Sequence, residues 1–194
     1  MHTLRIASLW ALIVNWLLFA GLLAWNHLRV RKERQSRGIQ EERPSIRDSR
    51  SMTGLLVEGL SFVIAWSFPM PHSSTPRFVS SIVFGCVSVL LLQAALRHLG
   101  LEWRIKAVVT EDHKLITSGP YAIVRHPIFT ALFCLLCANV LLLTNPIAGA
   151  SSLFIYAAGT EMRIRAEDGL LQRRFGAKFQ NYREAVRAWI PGVR

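Results

Sequence analysis

Three apolar runs constrain this chain more than any other feature. Ile6 to Trp25 is twenty residues without a charge, Phe78 to Leu96 is nineteen, and Pro127 to Leu143 is seventeen. About 20 apolar residues in a helix cross the roughly 30 Å of a bilayer's hydrocarbon. Two further segments are candidates: Thr53 to Met70, broken by Glu58, and Asn145 to about Thr160, which opens on Asn145-Pro146 and makes a tight hairpin with the run before it. With 52% hydrophobic residues in 194, the chain is too apolar for an ordinary soluble domain.

Charge tests that count independently, because short cytoplasmic loops collect Lys and Arg. Residues 28–50 carry eight, residues 97–126 five, and the tail from 161 eight, so five spans put 21 of the 23 cations on one side. Only Arg5 and Arg77 fall on the other, and dropping either weaker span scatters the cations. The sequence therefore predicts an all-α integral membrane protein with five transmembrane helices, its N-terminus outside and its C-terminus cytoplasmic. It forms one membrane domain. Residues 1–96 hold helices 1–3, and 97–194 a cytoplasm-facing, helical cofactor-binding half with helices 4–5. The formal charge of +11 is spent on flanking the spans, where cations set orientation and attract anionic headgroups. No nucleic-acid motif accompanies it, and no nucleic-acid partner is expected.

The first run exceeds a signal peptide's usual 7 to 15 apolar residues and lacks a small-x-small cleavage site, so it is predicted to remain as an anchor. Cys134 and Cys137 fall within the fourth span and Cys86 within the third. All three are expected to be buried thiols, and no metal is expected.

Chemistry concentrates in residues 113–129, directly before the fourth span. Gly119-Pro120 signals a turn, and Pro127 suits the first turn of a helix, where its missing donor costs nothing. The first amides of that helix lack internal partners. Beside Tyr121, Phe129, His113, His126, Lys114 and Arg125 they form a place for a polar, nucleotide-like ligand. Asn15 is expected to meet a neighbouring helix. Glu58, an ionisable group inside a span, either sits at the solvated rim or lines an interior cavity. Residues 101–109 alternate as an extended segment would. After the fifth span, i,i+4 spacing sets Arg163 over Glu167 and Glu161 over Arg165 on one helix. Leu171, Phe175, Phe179, Tyr182, Val186 and Trp189 then form an amphipathic stripe, which lies on the membrane or folds back over the site.

His113-x-Leu-Ile-Thr-Ser-Gly-Pro-Tyr121, Arg125-His126-Pro127-x-Phe129, Glu167 and Phe175-Gly176-x-x-Phe179-x-x-Tyr182 together resemble the isoprenylcysteine carboxyl methyltransferase family and the related phospholipid methyltransferases. The resemblance covers roughly residues 100–191. It implies methyl transfer from S-adenosylmethionine at the cytoplasmic membrane face, without a Rossmann sheet; G-x-G-x-x-G is indeed absent. By position, it implies cofactor contacts at Lys106, His113, Lys114, Leu115, Ile116, Tyr121, His126, Pro127, Ile128, Phe129 and Glu167. It also implies that Arg163 holds the substrate's carboxylate, making Arg163 and Glu167 the catalytic pair. Lys106 stands where relatives often carry glutamine, and Phe129 where tyrosine is commoner.

A sulfonium methyl is already activated, so alignment and exclusion of water suffice, proximity supplying about 7 to 11 kcal/mol. A carboxylate acceptor needs no base. An amine or hydroxyl acceptor needs one, with His126, His113 and Glu167 available. The expected partners are membrane lipid and a lipophilic or prenylated acceptor entering from the bilayer. Phospholipid N-methylation, a sterol-reductase-like nicotinamide enzyme and a non-catalytic lipid-binding protein are the alternatives.

Overall fold

The computed structural model of the chain describes residues 2–38, 49–69, 74–103 and 114–191. These residues form six α-helices: α1 His2–Ser36, α2 Ser49–Ser67, α3 Thr75–Leu99, α4 Pro127–Leu143, α5 Pro146–Phe175 and α6 Ala177–Ala185. Two 3-10 turns, Gly100–Glu102 and Gly119–Ala122, lie between α3 and α4. Each of the five apolar segments is a helix. Two stretches, Ile6–Ser36 and Thr75–Glu102, are long and apolar enough to cross a membrane, and Pro127–Leu143 is a shorter apolar helix.

Burial follows the composition of each helix. α4, the most uniformly apolar, lies at the centre and buries Phe129, Ala131, Leu135, Leu136, Ala138 and Leu142. It packs closely against α3, α2 packs closely against α5, and α1 leans on α3. The outer faces stay apolar: Leu17 of α1, Leu56 of α2, Leu90 of α3 and Phe154 of α5 are each more than 60% exposed. Leaving such a side chain in water forfeits about 1.5–3 kcal/mol relative to burying it. A belt of them suits a hydrocarbon surrounding.

Small residues bring α2 and α5 into backbone contact. A Cβ on Gly54 would stand 2.7 Å from the Gly159 carbonyl oxygen, and one on Gly159 would stand 2.8 Å from the Gly54 carbonyl oxygen. Small-residue faces of this kind let helices associate where lipid removes the hydrophobic drive. Ser152 Oγ donates to the Ser61 carbonyl at 2.7 Å along the same seam. Inside the bundle, Asn139 of α4 accepts from the indoles of Trp16 (3.2 Å) and Trp66 (3.0 Å) and donates to the Leu135 carbonyl, joining α1, α2 and α4.

One end is stitched by polar groups that satisfy helix termini. Arg77 donates to the carbonyls of Leu141 and Thr144, Thr144 to Ala65, and the Asn145 amide to Phe68. The Asn145 side chain caps α5 by accepting from the Ala148 amide at 2.9 Å, with Pro146 in the first turn. At the other end, Arg34 of α1 donates to the Leu101 and Trp103 carbonyls. Chain ends thus alternate between the two ends of the bundle from α1 through α5.

Several details differ from expectation. α2 starts at Ser49 and stops at Ser67, and the candidate residue Met70 lies outside the described residues. Leu101 and Glu102 belong to a 3-10 turn, because Gly100 at φ +54° ends α3 and opens that turn; residues 104–109 of the expected alternation lie outside the described residues. Cys134 is buried and Cys137 half-buried, but Cys86 is exposed, since its helix turns that side away from α4. Asn15 does meet a neighbouring helix, packing on Gly85 of α3. The amphipathic stripe is broken: α5 ends at Phe175, and Gly176 adopts φ +52°, a conformation that favours glycine.

Candidate active site

The approach to α4 is built by two glycine and proline signals. Gly119 turns at φ +61° and lies so close to His98 of α3 that a Cβ there would run into the imidazole. Pro127 opens α4 as the sequence predicts, with His126 in the N-cap position. Between them Tyr121 and Val124 are buried.

The C-terminal segment folds back across this approach, which decides between the two readings of the stripe. Val124 bridges Arg187 in parallel, the Arg125 amide donates to the Arg187 carbonyl (2.8 Å) and the His126 amide to the Ala188 carbonyl (2.8 Å). Thr130 Oγ1 donates to the Trp189 carbonyl at 2.6 Å, and the Tyr182 hydroxyl to the Tyr121 carbonyl at 2.5 Å. Phe179 and Trp189 are buried beneath this strap. The free amides expected at the start of α4 are therefore largely taken. His126 is bonded to the strap, Pro127 has no N–H, and Phe129 donates to the His126 carbonyl, leaving Ile128 as the first-turn amide with no backbone bond among the described residues.

The side chains behind the strap form one charged and aromatic cluster. The imidazole of His126 stacks on Phe129, with centroids 5.4 Å apart and planes 11° apart. Its Nδ1 lies 3.3 Å from Glu167 Oε2 and its Nε2 2.9 Å from Asp168 Oδ1. Arg125 donates to the second oxygen of Asp168 at 3.0 Å. Arg163 also lies over the Phe129 ring, 4.4 Å from its centroid, and donates to Glu58 at 2.6 Å. Glu58 is 1% exposed and also accepts from Thr160 at 2.9 Å. Glu58 is therefore not at the solvated rim but is packed in the bundle interior, paired with Arg163.

Electrostatics fix the protonation of this cluster. Burial alone would push His126 down, but hydrogen bonds to Asp168 and Glu167 outweigh it and hold the imidazole's pKa up at about 9. Burial works in the opposite direction on Asp168, where the His126 hydrogen bond and the neighbouring Arg125 prevail and keep the carboxyl below its ordinary value. His126 at neutral pH is an imidazolium donating from both nitrogens. It has no lone pair to act as a base. Burial, and then the charge of Glu167, push the Tyr121 hydroxyl up, so Tyr121 and Glu167 are neighbours as well.

The structure thus brings Tyr121, His126, Phe129, Arg163 and Glu167 together. Pro127 is buried and Ile128 half-buried in the first turn of α4, where Ile128 packs on the core. Lys114 is exposed and Leu115 and Ile116 half-buried in the irregular run to Gly119. Lys106 and His113 lie outside the described residues. The expected Glu161–Arg165 pair forms at 4.0 Å, but Arg163 pairs with Glu58 of α2 instead of Glu167. The reason is geometric: close approach at Gly54 and Gly159 brings a buried carboxylate within reach of α5. Asp168 went unrecognised as a site residue, because only its contact with His126, 42 residues away, distinguishes it from a solvated acid.

The donors and acceptors left over fit S-adenosylmethionine and a carboxylate acceptor. Glu167 is 26% exposed at its side chain and among the described residues makes one 3.3 Å contact, with His126, leaving acceptor capacity for a hydroxyl or ammonium group. Arg163 Nε is buried with no hydrogen-bond partner among the described residues, an unspent donor of the kind a carboxylate satisfies.

Similarity to known proteins covers the same elements. Residues 81–173 match the isoprenylcysteine carboxyl methyltransferase family, a stretch that runs from α3 through the catalytic candidates of α5. A protein-S-isoprenylcysteine O-methyltransferase of Dictyostelium discoideum is 29% identical over 72% of this chain and 60% of its own length. Those of Schizosaccharomyces pombe and Saccharomyces cerevisiae are 28% and 30% identical, over 68% and 57% of this chain and 54% and 49% of their own lengths. The chain thus spans about half to three-fifths of the length of these curated relatives. Over residues 81–173, just under half of the chain, the similarity is to the isoprenylcysteine carboxyl methyltransferase family.

Proposed function

We propose that this protein transfers a methyl group from S-adenosylmethionine to the carboxylate of a lipophilic, isoprenylcysteine-like acceptor at the cytoplasmic face of a membrane. The observation that carries the proposal is Arg163: a guanidinium stacked on Phe129, one helical turn from Glu167, with its Nε unspent. Its relatives' names give the same acceptor class. Five helices span the bilayer, which accounts for the alternating helix ends and the exposed apolar belt. Arg5 and Arg77 are the two cations expected at the outer end.

Bound in this site, S-adenosylmethionine supplies a methyl group already activated by its sulfonium. Arg163 holds the acceptor's carboxylate through its planar fork and fixes which oxygen faces the donor. Glu167 binds a polar part of the donor, and His126 in turn fixes the Glu167 rotamer. The Trp189 strap closes over the cluster and keeps water out. No proton has to leave a carboxylate acceptor before it attacks, so an imidazolium at His126 is no obstacle. That protonation state also favours a carboxylate over an amine or hydroxyl acceptor, which would need a base.

Calorimetric titration of the detergent-purified full chain with S-adenosylhomocysteine tests the donor site. Binding by wild type that Glu167→Ala weakens at least about tenfold, or 1.4 kcal/mol, is expected. Failure of folded wild type to bind would overturn the proposal.

A further inference from the structure

A concavity of about 390 Å³ is lined along α5 by Ile164, Arg165, Asp168, Gly169 and Gln172, and by neither Arg163 nor Glu167. Its charged and amide lining comprises Arg125, Arg165, Asp168, Gln172, Arg183 and Arg187. Residues 164, 165, 168, 169 and 172 of α5 recur at helical spacing, and their polar members Arg165, Asp168 and Gln172 lie about a quarter turn or more away from Glu167 and Arg163. The pocket adjoins the His126 cluster through Asp168, Arg125 and the 187–188 strap, while Arg163 and Glu167 do not line it.

Four guanidinium groups face one carboxylate here, and that carboxylate is already spent. Asp168 is held by Arg125 at 3.0 Å and by His126 at 2.9 Å. Arg165 lies 4.0 Å from Glu161 with its side chain 71% exposed, free to swing. Neither Arg183 nor Arg187 has an acidic partner among the described residues. Arg125 has a side chain only 8% exposed; it gives NH1 to the carbonyls of Arg183 and Val186 and NH2 to Asp168. Its Nε is buried without a partner among the described residues. A concavity that gathers like charges around an unsatisfied donor is stabilised by an anion.

The chemistry of the lining selects the anion. Several planar forks around one cavity match the three or four oxygens of a phosphate better than the two of a carboxylate. The cavity holds more than a bare phosphate. Its α5 wall begins four residues, or about 6 Å, beyond the expected end of the fifth span at Thr160, at headgroup depth.

We propose that this pocket binds a phosphate-type anion, either the phosphodiester headgroup of an anionic phospholipid or a free phosphate. An anion seated there ties α6 and the strap to α5 and so braces the loop that carries His126.

The test uses the full chain in detergent, as wild type, Arg183→Gln/Arg187→Gln and Arg165→Gln. Native mass spectrometry measures retention of dioleoyl phosphatidylglycerol against dioleoyl phosphatidylcholine. Thermal unfolding is compared in inorganic phosphate and in sodium chloride at equal ionic strength. For a lipid headgroup, wild type retains phosphatidylglycerol preferentially and the double substitution lowers that preference about thirtyfold, about 2 kcal/mol for two cations. For a free phosphate, inorganic phosphate raises the melting temperature of wild type and not of the double variant. Arg165→Gln shifts the responding readout in the same direction and, on a rigid and exposed helix face, leaves the fold intact. Wild type that discriminates in neither assay, or folded variants that discriminate as wild type does, would overturn the proposal.

Discussion

Glu58→Gln is the perturbation whose cost is most directly worked from the geometry. The pair it breaks is deep, with side-chain exposures of 2% for Glu58 and 14% for Arg163 at 2.6 Å. Removing one partner of a buried pair costs about 3–5 kcal/mol, because the remaining charge is stranded. The new amide oxygen still accepts from Thr160, and Arg163 keeps the face of Phe129, so the low end applies, about 3 kcal/mol. For a chain of this size that is a melting temperature lower by about 6–12 °C. The assay is thermal unfolding in detergent of wild type, Glu58→Gln, Arg163→Met and the double variant. The double variant strands no charge and should lose at least about 2 kcal/mol less than the summed single losses. Strict additivity, or a Glu58→Gln loss below about 1 kcal/mol, would refute the reasoning.

The His126 imidazolium makes stability depend on pH. Its folded pKa of about 9 lies above the ordinary 6.5, so its contribution, about 3 kcal/mol, is complete below pH 6.5 and is lost as pH rises through 9; melting curves should show this decline in wild type and not in His126→Gln. Gly54→Val places atoms against Arg163 Cγ and the Gly159 carbonyl, whereas a Cβ on Gly59 meets nothing within 4 Å. The first should lower the melting temperature by several degrees and abolish methyl transfer, and Gly59→Ala should do neither. Asn139→Leu leaves the indoles of Trp16 and Trp66 without their acceptor at a cost of about 1–3 kcal/mol, read as a lower melting temperature with a changed tryptophan emission spectrum.

Helices were legible wherever one physical rule acted locally. Apolar runs, one of them broken by Glu58, located five of them, and Gly119-Pro120 and Pro127 marked the turn and the start of α4 within a residue. Glu58 announced itself as an ion inside a span, but its partner did not, since 105 residues separate it from Arg163. The i,i+4 rule proposed Glu167 for Arg163, and a nearer carboxylate on another helix won. Likewise the stripe from Leu171 to Trp189 has helical periodicity throughout, yet Gly176 divides it and the last residues bond to the 124–126 backbone. Asp168 and Asn139 carried no local signal at all. Their significance arises from packing, which brings distant polar groups into a space where each must be satisfied.

The central claim is tested most directly by incubating membranes containing the full chain with methyl-labelled S-adenosylmethionine and an S-farnesylated cysteine bearing a free carboxylate. The account predicts label in an ester that mild alkali releases as methanol, little with the tailless cysteine, and loss of transfer in Arg163→Met. Label only in alkali-stable products, equal turnover of the tailless acceptor, or undiminished transfer by Arg163→Met would contradict it.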